Sequence, residues 1–169
     1  MAILPVIKIG HPTLRKKAKV VTDFDDKLKT LVENMIETMR LNDGIGLAAP
    51  QVNVSQQLFV VDMPLIDETL PPKAFINPEI LESRGSEPYE EGCLSIPGIR
   101  ADVIRPTEIK VAYQDLDGKR TEEWLSGLTA RVFQHEYDHL NGVLFVDKIS
   151  PLQKKLLEPK INELMGIYS

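Results

Sequence analysis

The chain has 169 residues, 43% of them apolar and 27% charged, which suits one domain (1–169) with a real core. Its net charge of −5 excludes a nucleic-acid binder driven by a basic field, and no apolar run approaches the ~20 residues of a transmembrane helix. The N-terminus lacks the pattern of a signal peptide and the single cysteine permits no internal disulfide, so a cytoplasmic setting is expected.

Residues 5–10 read as a short extended segment, and Gly10-His11-Pro12 as a turn that makes His11 a turn residue rather than a ligand. A helix is expected over 25–41, with Thr22, Asp23 and Asp25 as N-cap candidates and Leu28, Leu31, Val32, Met35, Ile36 and Met39 as its apolar stripe. Asn42-Asp43-Gly44 ends it. The following Gly44-Ile45-Gly46-Leu47-Ala48-Ala49-Pro50-Gln51 imitates a dinucleotide fingerprint, but a helix rather than a strand precedes it and Pro50 interrupts it, so that reading is rejected. Gln51 is either a solvated loop amide or a positioned donor, and the residues alone favour the loop. Strands are expected over 58–62, 74–76, 79–83, 101–105, 108–114 and 120–125, with a proline-rich loop over 63–72 and a loop over 86–98 that carries Cys93. Asp115-Leu116-Asp117-Gly118 is a hairpin turn and lacks the further acidic positions of a calcium loop.

A second helix is expected over 128–141, stopped by Asn141-Gly142. It contains His135-Glu136-Tyr137-Asp138-His139. Residues four apart on a helix share a face, so His135 and His139 can hold one metal ion, and Glu136 can serve as general base toward a water there. Two ligands do not complete a site. No histidine follows His139, which leaves Cys93 and the downstream carboxylates Asp147, Glu158 and Glu163 as candidate third ligands. A short strand over 144–146 and a last helix from Ser150-Pro151 follow, and Pro159 is expected to kink or stop that helix near Glu158. The pattern is an α+β domain: mostly antiparallel sheets around a central metal-binding H-E-x-x-H helix, with a C-terminal helix.

Three stretches together resemble the peptide deformylases, in that family's order and spacing. They are Gly44-Ile45-Gly46-Leu47-Ala48-Ala49-Pro50-Gln51, Glu91-Gly92-Cys93-Leu94-Ser95 and Gln134-His135-Glu136-Tyr137-Asp138-His139-Leu140, with Gly10-His11-Pro12 resembling the N-terminal segment. The resemblance implies the bacterial form of a hydrolase that removes the formyl group from the N-terminal formyl-methionine of nascent peptides, releasing formate. It implies Cys93 as the third ligand beside His135 and His139, Glu136 as the acid/base, and the Gln51 amide with the Leu94 backbone N–H as oxyanion donors. It implies Fe2+ as the ion in the cell, with Zn2+, Ni2+ or Co2+ as substitutes.

Gly46 and Gly92, with Gly44, are expected to admit the substrate backbone as an added strand, and Ile45, Leu128 and Val132 to form an apolar slot for methionine. Arg131 stands where the family often has an apolar residue. Its stem is expected to line the slot with its head in solvent, or else to make the pocket mouth polar. A monomer is expected. The C-terminal helix of some bacterial members docks on ribosomes, a partner that Pro159 bears on here. Two rival readings remain: an endopeptidase with a downstream carboxylate ligand, and a non-catalytic metal- or thiol-binding module.

Overall fold

The computed structural model describes residues 2–166. Helix α1 spans Asp26–Leu41, and Asp25 caps it by accepting the Leu28 N–H at 3.0 Å. Its end is a Schellman closure, with Gly44 N–H donating to the Met39 carbonyl at 2.9 Å and Asp43 N–H to Arg40 at 3.2 Å. Strands Gly46–Ala48 (β1), Leu58–Val61 (β2), Lys73–Arg84 (β3), Glu87–Cys93 (β4), Ile96–Arg105 (β5), Glu108–Gln114 (β6) and Arg120–Ser126 (β7) follow. Five form one antiparallel sheet in the order β1-β2-β3-β6-β7, while β4 and β5 form a separate hairpin. Helix α2 spans Gly127–Leu140 and α3 spans Pro151–Met165. No helix among the described residues is long and apolar enough to cross a membrane.

Strand β2 reads Leu-Phe-Val-Val because both of its faces are covered. Leu58 and Val60 pack with Met35 and Met39 of α1. Phe59 and Val61 point the other way, into a cluster with Phe75 of β3 and Phe133 of α2. The Phe59 ring lies 5.1 Å from Phe75, stacked, and 5.1 Å from Phe133, edge-on, both favourable aromatic geometries. Phe133 thereby fixes the roll of α2 against the sheet. A third cluster joins the N-terminal segment (Ile9), the hairpin (Ile96, Ile99, Val103), Phe145 and Ile161 of α3.

The structure departs from the sequence reading at several elements. The loop expected over 86–98 is mostly strand: β4 and β5 meet across a two-residue turn at Leu94-Ser95. Its run Glu-Pro-Tyr-Glu at 87–90 is exposed, so no apolar alternation announces it. The two strands expected at 74–76 and 79–83 are one, β3, whose register shifts after Ile76 absorb the left-handed Asn77 and Pro78. Residues 144–146 are not a strand; Phe145–Asp147 forms a 3-10 turn. Helix α3 does not stop near Glu158 but continues through Pro159 to Met165. Lys155, whose carbonyl loses its bond to Pro159, is exposed to water, and Ile161 and Leu164 anchor the far half on the third cluster.

Candidate metal centre and active site

Helix α2 brings His135, Glu136 and His139 to the side facing the β4–β5 hairpin. It ends as the sequence suggests, with Gly142 left-handed (φ 73°) and Val143 N–H donating to the Asp138 carbonyl at 2.9 Å. The hairpin carries Cys93 to the same place. One donor atom each of Cys93, His135 and His139 lie within 4.8 Å of one another, and Cys93 Sγ is 3.4 Å from His139 Nε2. One thiolate and two imidazoles fit a tetrahedral transition-metal set with a position left over. Cys93 rather than Asp147, Glu158 or Glu163 stands with the histidines: Asp147 is taken by Arg15 at 2.5 Å, and Glu158 is exposed on α3.

Behind the histidines lies a charged network that the sequence reading missed. His135 Nδ1 is 2.9 Å from Glu91 Oε1, which leaves Nε2 for a metal. Arg105 donates to both Glu91 oxygens at 2.6 and 2.9 Å and to Asp138 at 2.8 Å. Burial opposes ionisation of Glu91, yet the bonds from His135 and Arg105 outweigh it and bring its pKa down to about 2. The signal for Arg105 was present: it continues the inward period-two positions Ala101 and Val103 of β5.

Arg131 requires a correction. Its head is not in solvent, for the residue is 8% exposed, but the residue does line the cavity over the centre, as the polar-mouth alternative expects. It donates to Glu91 at 2.7 Å, to the Val103 carbonyl at 2.9 Å and to the Glu87 carbonyl at 2.6 Å. It therefore pins β4 and β5 to α2.

Gln51 also departs from the solvated-loop reading, being 1% exposed in the 3-10 turn Ala49–Val52. Its Oε1 accepts the Ala48 N–H at 2.9 Å, which turns the NH2 group toward Ser95 Oγ at 3.1 Å and Cys93 Sγ at 3.4 Å. Glu136 is 3% exposed, its Oε1 has no hydrogen-bond partner among the described residues, and burial pushes its pKa up to about 7. Gly46 makes room for it: a Cβ there would lie 2.8 Å from Glu136 Oε2. At Gly92 a Cβ would meet Arg100 Nη1 at 2.7 Å. The buried Glu136 carboxylate accounts for Gly46, whereas Arg100 is an exposed flexible side chain that can move aside and does not account for Gly92.

A cavity of about 710 Å³ opens over the centre. Ile45, Gly46, Gln51, Gly92, Cys93, Leu94, Leu128, Val132, His135 and Glu136 all line it, whereas His139 lies beneath. Its walls are β1 and β4, each with one edge unpaired among the described strands, the arrangement that accepts an extended peptide.

Residues 3–155 match the family model described as polypeptide deformylase. The peptide deformylase of Thermotoga sp. strain RQ2 is 54% identical over 156 residues, which are 92% of each chain. The crystal structure of the Thermotoga maritima peptide deformylase superposes with a TM-score of 0.84 at 53% identity, covering 89% of this chain and all of that one. A Plasmodium falciparum peptide deformylase superposes with a TM-score of 0.91 at 42% identity, covering 96% of both chains.

Proposed function

This chain belongs to the peptide deformylase family, and from that membership we propose which of its residues perform the reaction. It is a metal-dependent hydrolase that removes the formyl group from the N-terminal formyl-methionine of nascent peptides. Cys93, His135 and His139 hold the metal, a reading supported by their convergence within 4.8 Å. A divalent ion there would supply Lewis-acid activation of a water. Glu136 takes the proton of the attacking water and delivers it to the leaving amine, for which an unpartnered carboxylate at the cavity floor is suited. The Gln51 NH2 group and the Leu94 N–H receive the negative charge that develops on the formyl oxygen. A preorganised donor of this kind is worth ~2.7–4 kcal/mol of barrier.

Ile45, Leu128 and Val132 receive the methionine side chain, and the β1 and β4 edges receive the peptide backbone. The whole of 1–169 acts as one catalytic domain, a monomer in the cytoplasm. The continuous α3, with Leu152 and Leu156 exposed, supports the ribosome as a docking partner.

The observation that carries this reading is the convergence of the sole thiol with the helical histidine pair beside the Gln51 amide. The test compares turnover of a formylated peptide with an unformylated one, and measures the metal content of Cys93→Ala. Turnover confined to the formylated peptide, with metal lost in the variant, is expected. Full tight occupancy without Cys93 would return the third ligand to a carboxylate and revive the endopeptidase reading.

Iron is the working ion in this proposal. An open ferrous site with a thiolate ligand is oxidisable, so iron-loaded enzyme should lose activity in air while the nickel or cobalt form keeps it. Zinc equalling iron under argon, with iron enzyme indifferent to air, would overturn that choice alone.

A further inference from the structure

The two oxyanion donors assigned above come from separate elements. Gln51 sits in the turn after β1 and Leu94 in the turn between β4 and β5. The second turn is not held by its own hairpin. Two-residue hairpin loops favour turns with a left-handed first central residue, because only those match the strand twist. Neither Leu94 nor Ser95 has a positive φ. The register also breaks at once: Cys93 pairs with Ile96, but Gly92 pairs with Arg100, leaving three residues bulged. What holds the turn is outside it.

The N-terminal segment contacts both donor-bearing turns. Ile7 N–H donates to the Gln51 carbonyl at 2.8 Å, and Ile9 N–H to the Ser95 carbonyl at 2.8 Å. Between them the Lys8 ammonium donates to the Leu94 carbonyl at 3.2 Å. That carbonyl belongs to the central peptide of the turn, and the Leu94 N–H lies on the peptide before it, so Lys8 acts on that N–H by fixing the backbone on the other side of the Leu94 Cα. Lys8 is the side-chain component of this strap, and a charged donor makes the stronger kind of hydrogen bond.

We propose that Lys8 is a positioning residue for deformylation: it locks the Leu94-Ser95 turn so that the Leu94 N–H stays in register with the Gln51 amide. The proposal rests on the assignment of those two groups as oxyanion donors. Lys8 acts through the turn, so its removal should affect the reacting geometry more than peptide affinity or metal retention.

The experiment uses the metal-loaded, full-length enzyme and a formyl-methionyl peptide, with Lys8→Met, Lys8→Arg, Gln51→Ala and the Lys8→Met/Gln51→Ala pair. Lys8→Met should lower kcat by roughly 10- to 100-fold, the scale of an ångström-sized misplacement, with KM, metal content and melting temperature unchanged. Lys8→Arg, which keeps a charged donor, should restore most of the loss. Gln51→Ala should lose about 10²–10³ in kcat, and adding Lys8→Met should lower it by less than the product of the two losses, because both act on one oxyanion. Unchanged kcat in Lys8→Met overturns the proposal. So does a loss confined to KM, which would mark direct contact with the peptide, or a loss of metal or fold that Lys8→Arg does not repair. Fully multiplicative losses also overturn it. If Gln51→Ala keeps normal kcat, the oxyanion assignment falls and takes this proposal with it.

Discussion

Glu136 is a carboxylate shut in by packing, with Gly46 lending it the space a side chain would fill and nothing among the described residues bonding Oε1. Glutamine has nearly the same shape but cannot carry a proton. Glu136→Gln should therefore keep its metal while turnover falls on the order of 10²–10⁴-fold, the range for a lost general acid/base; near-normal turnover with metal bound would show a different base. Asp147 offers an acid-stability prediction away from the site. Burial opposes its ionisation, but the Arg15 guanidinium and the Leu144 N–H outweigh burial and hold its pKa below the ordinary value. A depressed folded pKa contributes stability above the unfolded pKa, and that contribution disappears as pH falls through the folded one. Asp147→Asn should therefore lower the melting temperature at pH 7, and the gap to wild type should narrow below the ordinary aspartate range. A constant gap from pH 7 to pH 3 would assign the effect to the lost turn rather than to charge.

The elements differ in how far local physics settles them. Pro159 sits inside α3, where it forfeits one backbone bond and crowds the preceding turn, yet tertiary contacts of Ile161 and Leu164 keep the helix going. Pro159→Ala should restore the bond at an exposed position and raise stability by about 1–3 kcal/mol, measured by denaturant unfolding; no gain would mean the proline is already accommodated without loss. On α2, Val132 stands one helical turn before His135 and faces the cavity without touching the charged network. Val132→Asp should reduce kcat/KM for formyl-methionyl peptides at least about tenfold, since an apolar slot would then hold a carboxylate. Equal use of the peptide would move the methionine slot elsewhere. Arg131, one residue earlier, lines the same cavity but is also bound to the hairpin, so its substitution would disturb the fold as well as the slot.

At the scale of the molecule, the proposed metal ligands come from α2 and from a hairpin outside the main sheet, so a bound ion would add a cross-link to the packing and to the Arg105 and Arg131 bonds that join them. Ligands bound only by the folded state stabilise it by mass action. Chelation should lower the melting temperature of the wild type and leave that of Cys93→Ala nearly unchanged; equal shifts in both would place the ion elsewhere. The chain by itself determined the α+β pattern, the capped helix α1, the helical spacing of His135 and His139 with Glu136, and the motifs that resemble one family. Each of these lies within a few residues of chain, where periodicity, caps and helical spacing act directly. Tertiary structure decided the rest: that Gln51 is buried and aimed, that 86–98 is mostly strand, that Arg105 and Arg131 converge on Glu91, and that Pro159 does not end α3. Pro159 is outweighed by the apolar packing of Ile161 and Leu164, and the polar cases share a different reason. A polar group's place depends on partners far away in sequence, Gln51 on Cys93 and Ser95, Glu91 on Arg105 and Arg131, and only the folded chain brings those partners within hydrogen-bonding distance.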